Sequence, residues 1–304
     1  MSSPAVTERF QIYVNHIGTI VAGGAVFDYP KLVDTEAPFA LRGIAVRIAK
    51  NLTAGTYSLV NNFDIRWKNA SNTYTAKDLL PVPVALRCGT GGFGGIGGHP
   101  GVVYPQEIFP AGSSINIDLA NARGSTDLDV TVYFWGVKLF PAGHIDAPTY
   151  PARCAMLDYT KTFTAFQLGL TENRTNQILK IAADADYVLS AGQGGCNNNF
   201  PNFPSTFLPQ KNLLLTISDH NVKPYMDAGV DMNYLLGTSQ STFGQGSGFV
   251  GNATPGLFVP EIYVRANDLL YLDFNRQDAA FNGQAGAGPV NIQVVFQGRK
   301  VYLK

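Results

Sequence analysis

The residues that could do chemistry are few, and the richest stretch is Gly89-Thr-Gly-Gly-Phe-Gly-Gly-Ile-Gly-Gly-His-Pro-Gly101. Glycines at that density suit a loop that wraps a phosphate in main-chain N–H groups, provided a helix N-terminus stands behind it. No Gly-Lys-Ser/Thr follows here and no helix start follows, so the run reads as a long loop between strands. The stretch Gly237 to Gly256 resembles it but is richer in Ser and Gln. Long surface loops carry contacts more often than nucleotides. Phe93, His99, Phe243 and Phe249 are therefore candidate contacts with a neighbouring subunit or domain.

Asp184-Ala-Asp186, with Asp34-Thr-Glu36 offset by two positions, places two carboxylates on one side of a strand or turn. Clustered oxygens suit a hard cation, which makes Asp184 and Asp186 candidate calcium ligands. The EF-hand pattern is absent, however, and acidic residues at a strand entry are ordinarily just solvated. The four histidines, His16, His99, His144 and His220, lie outside metal-ligand spacing of one another. No H-E-x-x-H, no G-x-S-x-G elbow and no Ser/His/Asp cluster is recognisable. Carboxylates are plentiful, but none is singled out as half of a glycosidase pair. No catalytic residue and no cofactor is expected, and the chain does not read as an enzyme.

Charge excludes another class. The 22 basic residues offset 22 acidic ones, no run of Lys or Arg occurs, and Met1-Ser-Ser-Pro-Ala-Val-Thr-Glu-Arg9 is nearly neutral. Gripping nucleic acid takes Lys and Arg that displace counterions, so direct genome condensation is not expected. Cys88, Cys154 and Cys196 form an odd set without zinc spacing or a disulfide framework, and read as reduced, mostly buried thiols. No signal peptide is visible, nor any apolar stretch near the ~18 residues of a membrane span. The sequons at Asn51, Asn69, Asn173 and Asn252 are then incidental, and a soluble protein made in a reducing cytoplasm is expected.

The elements that hold these residues are strands. Charged residues are only 14%, aromatics reach 12%, and 32 glycines and 18 prolines supply turns, a mix that suits an all-β protein. Phe63-Asp-Ile-Arg-Trp67, Ile115-Asn-Ile-Asp-Leu119 and Leu270-Tyr-Leu-Asp-Phe274 alternate with period two, one face for a core and one for water. Leu213 to Ile217 does so on one face. Ala76 to Leu80 and Val222 to Met232 are the places for a short helix or turn. Between Phe39 and Ile48 the parity changes: Phe39 and Leu41 share one face, Ile44, Val46 and Ile48 the other. Both sets reach one core only through an extra residue, so a β-bulge or sharp bend is expected near Gly43. Val130, Val132 and Phe134 point inward, leaving Tyr133 and Trp135 on the opposite face. Large aromatics there imply cover, by the other domain, a neighbouring subunit or a long loop.

The chain also repeats itself. Glu36, Ala37, Phe39 and Leu41 return as Asp184, Ala185, Tyr187 and Leu189, and Gly89-Thr90 with Phe93-Gly94 returns as Gly237-Thr238 with Phe243-Gly244. Tyr104-Pro-Gln-Glu-Ile108 returns as Val259-Pro-Glu-Ile262, followed by Ile115, Ile117, Asp118 and Leu119 as Leu270, Leu272, Asp273 and Phe274. Val130, Val132, Phe134, Gly136 and Lys138 return as Ile292, Val294, Phe296, Gly298 and Lys300. Collinear matches at a domain-long period imply two similar domains rather than a solenoid. The join is expected in Pro141 to Pro151. That gives two tandem antiparallel β-sandwiches of about eight strands, residues 1–146 with a short N-terminal arm and residues 147–304.

Such a duplicated set, from Glu36/Asp184 to Lys138/Lys300, resembles the double-jelly-roll coat proteins of tailless bacteriophages and related viruses. The resemblance is architectural, runs from about Phe10 to Leu303, and has no short diagnostic motif. It implies two jelly rolls per subunit, a homotrimer that tiles as a pseudo-hexagon, other virion proteins as partners, and a place in the virion. The neutral N-terminus departs from a coat that grips its genome directly. An outer shell over an internal membrane, or a cement or tail component, stays open. So does a tandem carbohydrate-binding module, with Trp67, Trp135 and the 14 tyrosines as sugar platforms.

Overall fold

The computed structural model describes residues 6–49, 63–68, 71, 82–83, 89–90, 101–121, 127–144, 157–168, 173–197, 213–236, 256–276 and 290–302. Described residues as far as His144 form one compact unit, and those from Leu157 onward a second.

The first unit contains β1 (Val6–Ile20), β2 (Ala25–Leu32), β3 (Phe39–Ala49), β4 (Phe63–Trp67) and β5 (Val82–Pro83). It continues through β6 (Gly89–Thr90), β7 (Gly101–Phe109), β8 (Ser114–Asn121) and β9 (Leu128–Pro141). β1 pairs with β9, β2 with β8, β3 with β7 and β4 with β5, all antiparallel. Outermost strands in sequence meet each other, then the next pair inward, so the chain winds as one long hairpin rolled up. That is a jelly roll. Pairing of β9 with β3 and of β8 with β4 completes the sheets β1-β9-β3-β7 and β2-β8-β4-β5. β6 adds a short parallel contact to β3.

The second unit contains β10 (Leu157–Leu168), β11 (Asn173–Lys180), β12 (Asp186–Asn197), β13 (Leu213–Ser218), β14 (Val230–Asp231), β15 (Gly256–Val264), β16 (Leu269–Arg276) and β17 (Val290–Val301). Its sheets are β10-β17-β12-β15 and β11-β16-β13-β14. Strand for strand this is the order of the first unit, so one roll is built twice. Among the described residues the helical content is one turn, Met232–Leu235, which starts at the last residue of the stretch Val222 to Met232 where the sequence predicts a helix or turn; the two residues before it form β14 instead. Ala76 to Leu80 lies outside the described residues.

The alternation read in the sequence becomes the core. Ile65 and Trp67 of β4, with Ile115, Ile117 and Leu119 of β8, pack against Tyr13, Phe39, Leu41, Ile44 and Phe134 of the facing sheet. In the second unit Leu270, Leu272 and Phe274 are buried with Leu215 and Ile217. Asp118 departs from the pattern, being buried on what should be a wet face. Its Oδ1 accepts from the main-chain N–H of Asp28 at 2.8 Å and its Oδ2 from Arg66 Nε at 2.7 Å, which satisfies the charge. Asp273 stands in its place in the second unit and accepts from Asn176 N at 2.6 Å. Asp28 and Asn176 both have positive φ, 52° and 54°, at matching irregularities in β2 and β11.

The change of parity in β3 is a bulge. Register shifts between Leu41 and Gly43 against both neighbours, leaving Arg42 as the extra residue. The second unit repeats it between Leu189 and Ala191, with Ser190 extra. Gly136 and Gly298 serve these bulges: a Cβ on either would stand 2.1 Å from the Ala40 carbonyl oxygen or 2.0 Å from that of Val188. One matched block needs correcting. Glu107 lies opposite Leu41 whereas Ile262 lies opposite Leu189, so Glu261 occupies the position of Gln106, not of Glu107. The sequence match had slid by one residue across the bulge of the edge strand.

Candidate interaction surface

The edge strands β7 and β15 carry the same device. Each pairs on one side only, β7 with β3 and β15 with β12, among the described residues. Each has a proline within it, Pro105 or Pro260, preceded by a cis peptide bond. The residue before that proline, Tyr104 or Val259, is apolar and exposed, at 86% and 59%. Ile108 adds a second exposed apolar side chain on β7. The bulge residue of the neighbouring strand ties each tip down. Arg42 Nε donates to Gln106 Oε1 at 3.0 Å, and Ser190 Oγ donates to Glu261. Ion pairs then hold the ties: Arg42 with Glu8, and Arg299 with Glu261.

Beneath the first edge, Trp67 Nε1 donates to Glu107 Oε2 at 3.1 Å. By register, Ile217 and Ile262 stand at those two positions in the second unit, both buried. An indole and the carboxylate that answers it are thus exchanged together for two isoleucines.

The other residues named from sequence are distributed as follows. Asp184 Oδ2 accepts from Lys300 Nζ at 2.8 Å. Asp186 is buried, its Oδ1 accepting from Ala266 N at 2.8 Å and its Oδ2 from the Tyr263 hydroxyl. The two carboxylates therefore have separate partners. Among the described residues no group of three or more His, Cys, Asp or Glu side chains is placed to hold a metal ion. Tyr133 and Trp135 are buried within the chain itself, Trp135 edge-on to Phe10 with ring centres 5.8 Å apart. Phe93, His99, Phe243 and Phe249 lie outside the described residues. Among those described, no helix is long and apolar enough to cross a membrane.

Sequence reasoning missed the edge device. Its signal was present in the matched Tyr104-Pro105 and Val259-Pro260, but exposure at an edge strand has no signature in a single chain.

Strand order and core define an all-β chain of two tandem, internally duplicated jelly rolls. No family model matches it, and no curated protein matches it. Among solved structures it is similar to the crystal structure of PBCV-1 VP54 fitted into a cryo-EM reconstruction of the virophage Sputnik, at 9% identity over 100% of this chain and 96% of that one, with a TM-score of 0.23. The jelly-roll order is read from the strand pairing of this chain alone.

Proposed function

We propose that the chain is a virion structural protein, and more specifically a coat protein whose two jelly rolls tile as pseudo-hexagonal trimers. The observation that carries this reading is the duplication itself, eight corresponding strands in the same order with the same bulges. A chain with two equivalent sandwiches lets three copies approximate six-fold packing, which a shell needs and a monomeric binder does not. Among the described residues, those shared by the two rolls set bulges, ion pairs and close backbone approaches, and none of them converges on a reaction centre. Itself and other virion proteins are the partners in this reading, with an internal membrane beneath the shell a further one. A cement or tail component uses the same self-associating rolls.

The carbohydrate-binding alternative loses its two tryptophan platforms, although Tyr104 stays exposed. Trp67 and Trp135 are both buried, so neither offers a ring face to a sugar. Size-exclusion chromatography with light scattering of the full chain, beside a glycan array, tests the choice. Trimers or larger shells are expected; a stable monomer that binds glycans overturns the proposal.

A further inference from the structure

We propose that Lys138 and Asp34 join covalently, the lysine amine and the aspartate carboxyl condensing to an amide with Glu36 as proton carrier. The bond would staple the last strand of the first roll to the turn before its third. Lys138 Nζ stands 2.6 Å from Asp34 Oδ2 and 2.6 Å from Glu36 Oε2. An amine touching one carboxyl is an ion pair. An amine held between two has one to attack and one to move protons. Lys138 is buried, and so is Phe39, which lies opposite it in register with the Tyr13 ring edge-on at 4.8 Å. Burial keeps bulk water off the nitrogen. Both oxygens of Asp34 are held as well: Oδ1 accepts from the main-chain N–H of Glu36 at 3.2 Å, and Oδ2 from the Tyr13 hydroxyl at 2.8 Å. The first donor stands where charge develops when Cγ becomes tetrahedral, and the second where an oxygen leaves.

The reaction balances without a co-reactant. One Nζ proton passes to Asp34 Oδ2, leaving a neutral amine beside a carboxylic acid. The nitrogen lone pair forms the Nζ–Cγ bond, and a second Nζ proton passes to Glu36. Glu36 returns that proton to the Oδ2 hydroxyl, the Cγ–Oδ2 bond breaks, and one water departs. The amide keeps one N–H, and Glu36 ends as it began. Proton transfer within an ion pair is uphill, so the reaction is slow; fixed neighbours offset this with effective molarities of about 10⁵–10⁸ M. The ion-paired chain is the reactant, and its response to pH is that of the pair. The second roll supplies a control. There Lys300 meets Asp184 at the place of Glu36, but Ala182 stands at the place of Asp34, and register puts Thr162 at the place of Tyr13. One carboxylate with no second to carry protons leaves Lys300 an ion pair. The shared pair becomes reactive only in the first roll, where Asp34 and Tyr13 join it.

The test is intact mass and peptide mapping of the full-length chain, unfolded in urea, both fresh and after a week at room temperature. Wild type is expected to become lighter by one water, with the Asp34 and Lys138 peptides recovered as one linked species and the Asp184 and Lys300 peptides separate. Lys138→Arg keeps the charge and is expected to keep the full mass. Glu36→Gln is expected to link about 100-fold more slowly, the loss of one proton carrier. Thermal melting verifies the fold of each variant, and Glu36→Ala replaces Glu36→Gln if that variant fails to melt cooperatively. Separate Asp34 and Lys138 peptides in wild type after the week overturn the proposal. So does a Glu36 variant that links as fast as wild type, or a water lost equally from Lys138→Arg. None of these readings depends on assembly, so the coat-protein reading stands or falls apart from them.

Discussion

Lys300 Nζ donates to Asp184 Oδ2 at 2.8 Å, and in the first unit Lys138 Nζ stands 2.6 Å from Glu36 Oε2. These four residues are the two ends of the repeated set, and each roll joins its ends. In both, the turn entering the third strand is fastened to the last strand. The first unit adds Asp34, 2.6 Å from the same Lys138 and an acceptor from the Tyr13 hydroxyl at 2.8 Å. Lys138 is consequently buried, whereas Lys300 is partly exposed.

Burial acts to raise the Asp34 carboxyl, but the hydrogen bonds from Lys138 and Tyr13 and the charge of Lys138 outweigh it and hold the group below 3.8. A depressed folded value contributes stability that is present above the ordinary carboxylate value and lost as pH falls through the folded one. Lys138→Met is expected to cost about 1–2 kcal/mol at neutral pH, discounted because both carboxylates are partly solvated. It should also flatten the acid limb of the stability profile. Urea denaturation at neutral pH and near pH 3 measures both, and an unchanged acid limb would contradict the assignment.

Gly136→Ala and Gly298→Ala each drive a methyl group into a carbonyl oxygen of the neighbouring bulge. Either is expected to lose about 1–3 kcal/mol, as overpacking does. Two separate folding units should respond separately. Calorimetry is expected to show only one part of the unfolding endotherm moving in each variant.

Trp67→Phe removes the indole N–H that donates to Glu107. The expected loss is about 1 kcal/mol, the net worth of that hydrogen bond. Trp67→Phe combined with Glu107→Leu should recover much of it, because the second unit already holds the apolar version of this pair in Ile217 and Ile262. A double-mutant cycle reads the coupling, and strict additivity would dismiss it.

The scaffold was legible because it rests on local rules. Period-two alternation announced β4, β8 and β16, and the parity change at Gly43 announced a bulge that both β3 registers contain. The duplication was legible because Asp118, Gly136 and their counterparts answer backbone geometry and Lys138 and Lys300 answer an acidic partner, demands that few residue types meet. The edge device was not, since a slipped match hid that Glu261 replaces Gln106. Tyr133 and Trp135 lie on the outward parity of β9, where the sequence predicts cover, and both are buried. Asp184 and Asp186 looked like a pair, yet Lys300 and Tyr263 draw them to different partners that lie far away in sequence.

Those partners bear on the calcium reading. Lys300 already supplies the positive charge beside Asp184, and Asp186 accepts from two protein donors. Thermal melting of the purified chain is expected to be the same with calcium and with chelator. A rise in melting temperature on adding calcium would show a site that these hydrogen bonds do not reveal.

Electron cryomicroscopy of the purified, assembled protein tests the central claim most directly. Two sandwich densities per subunit, alike in strand order and arranged in three-subunit tiles with near six-fold outline, are predicted. A field of isolated monomers under all assembly conditions, or a subunit whose two halves differ in strand order, would contradict it.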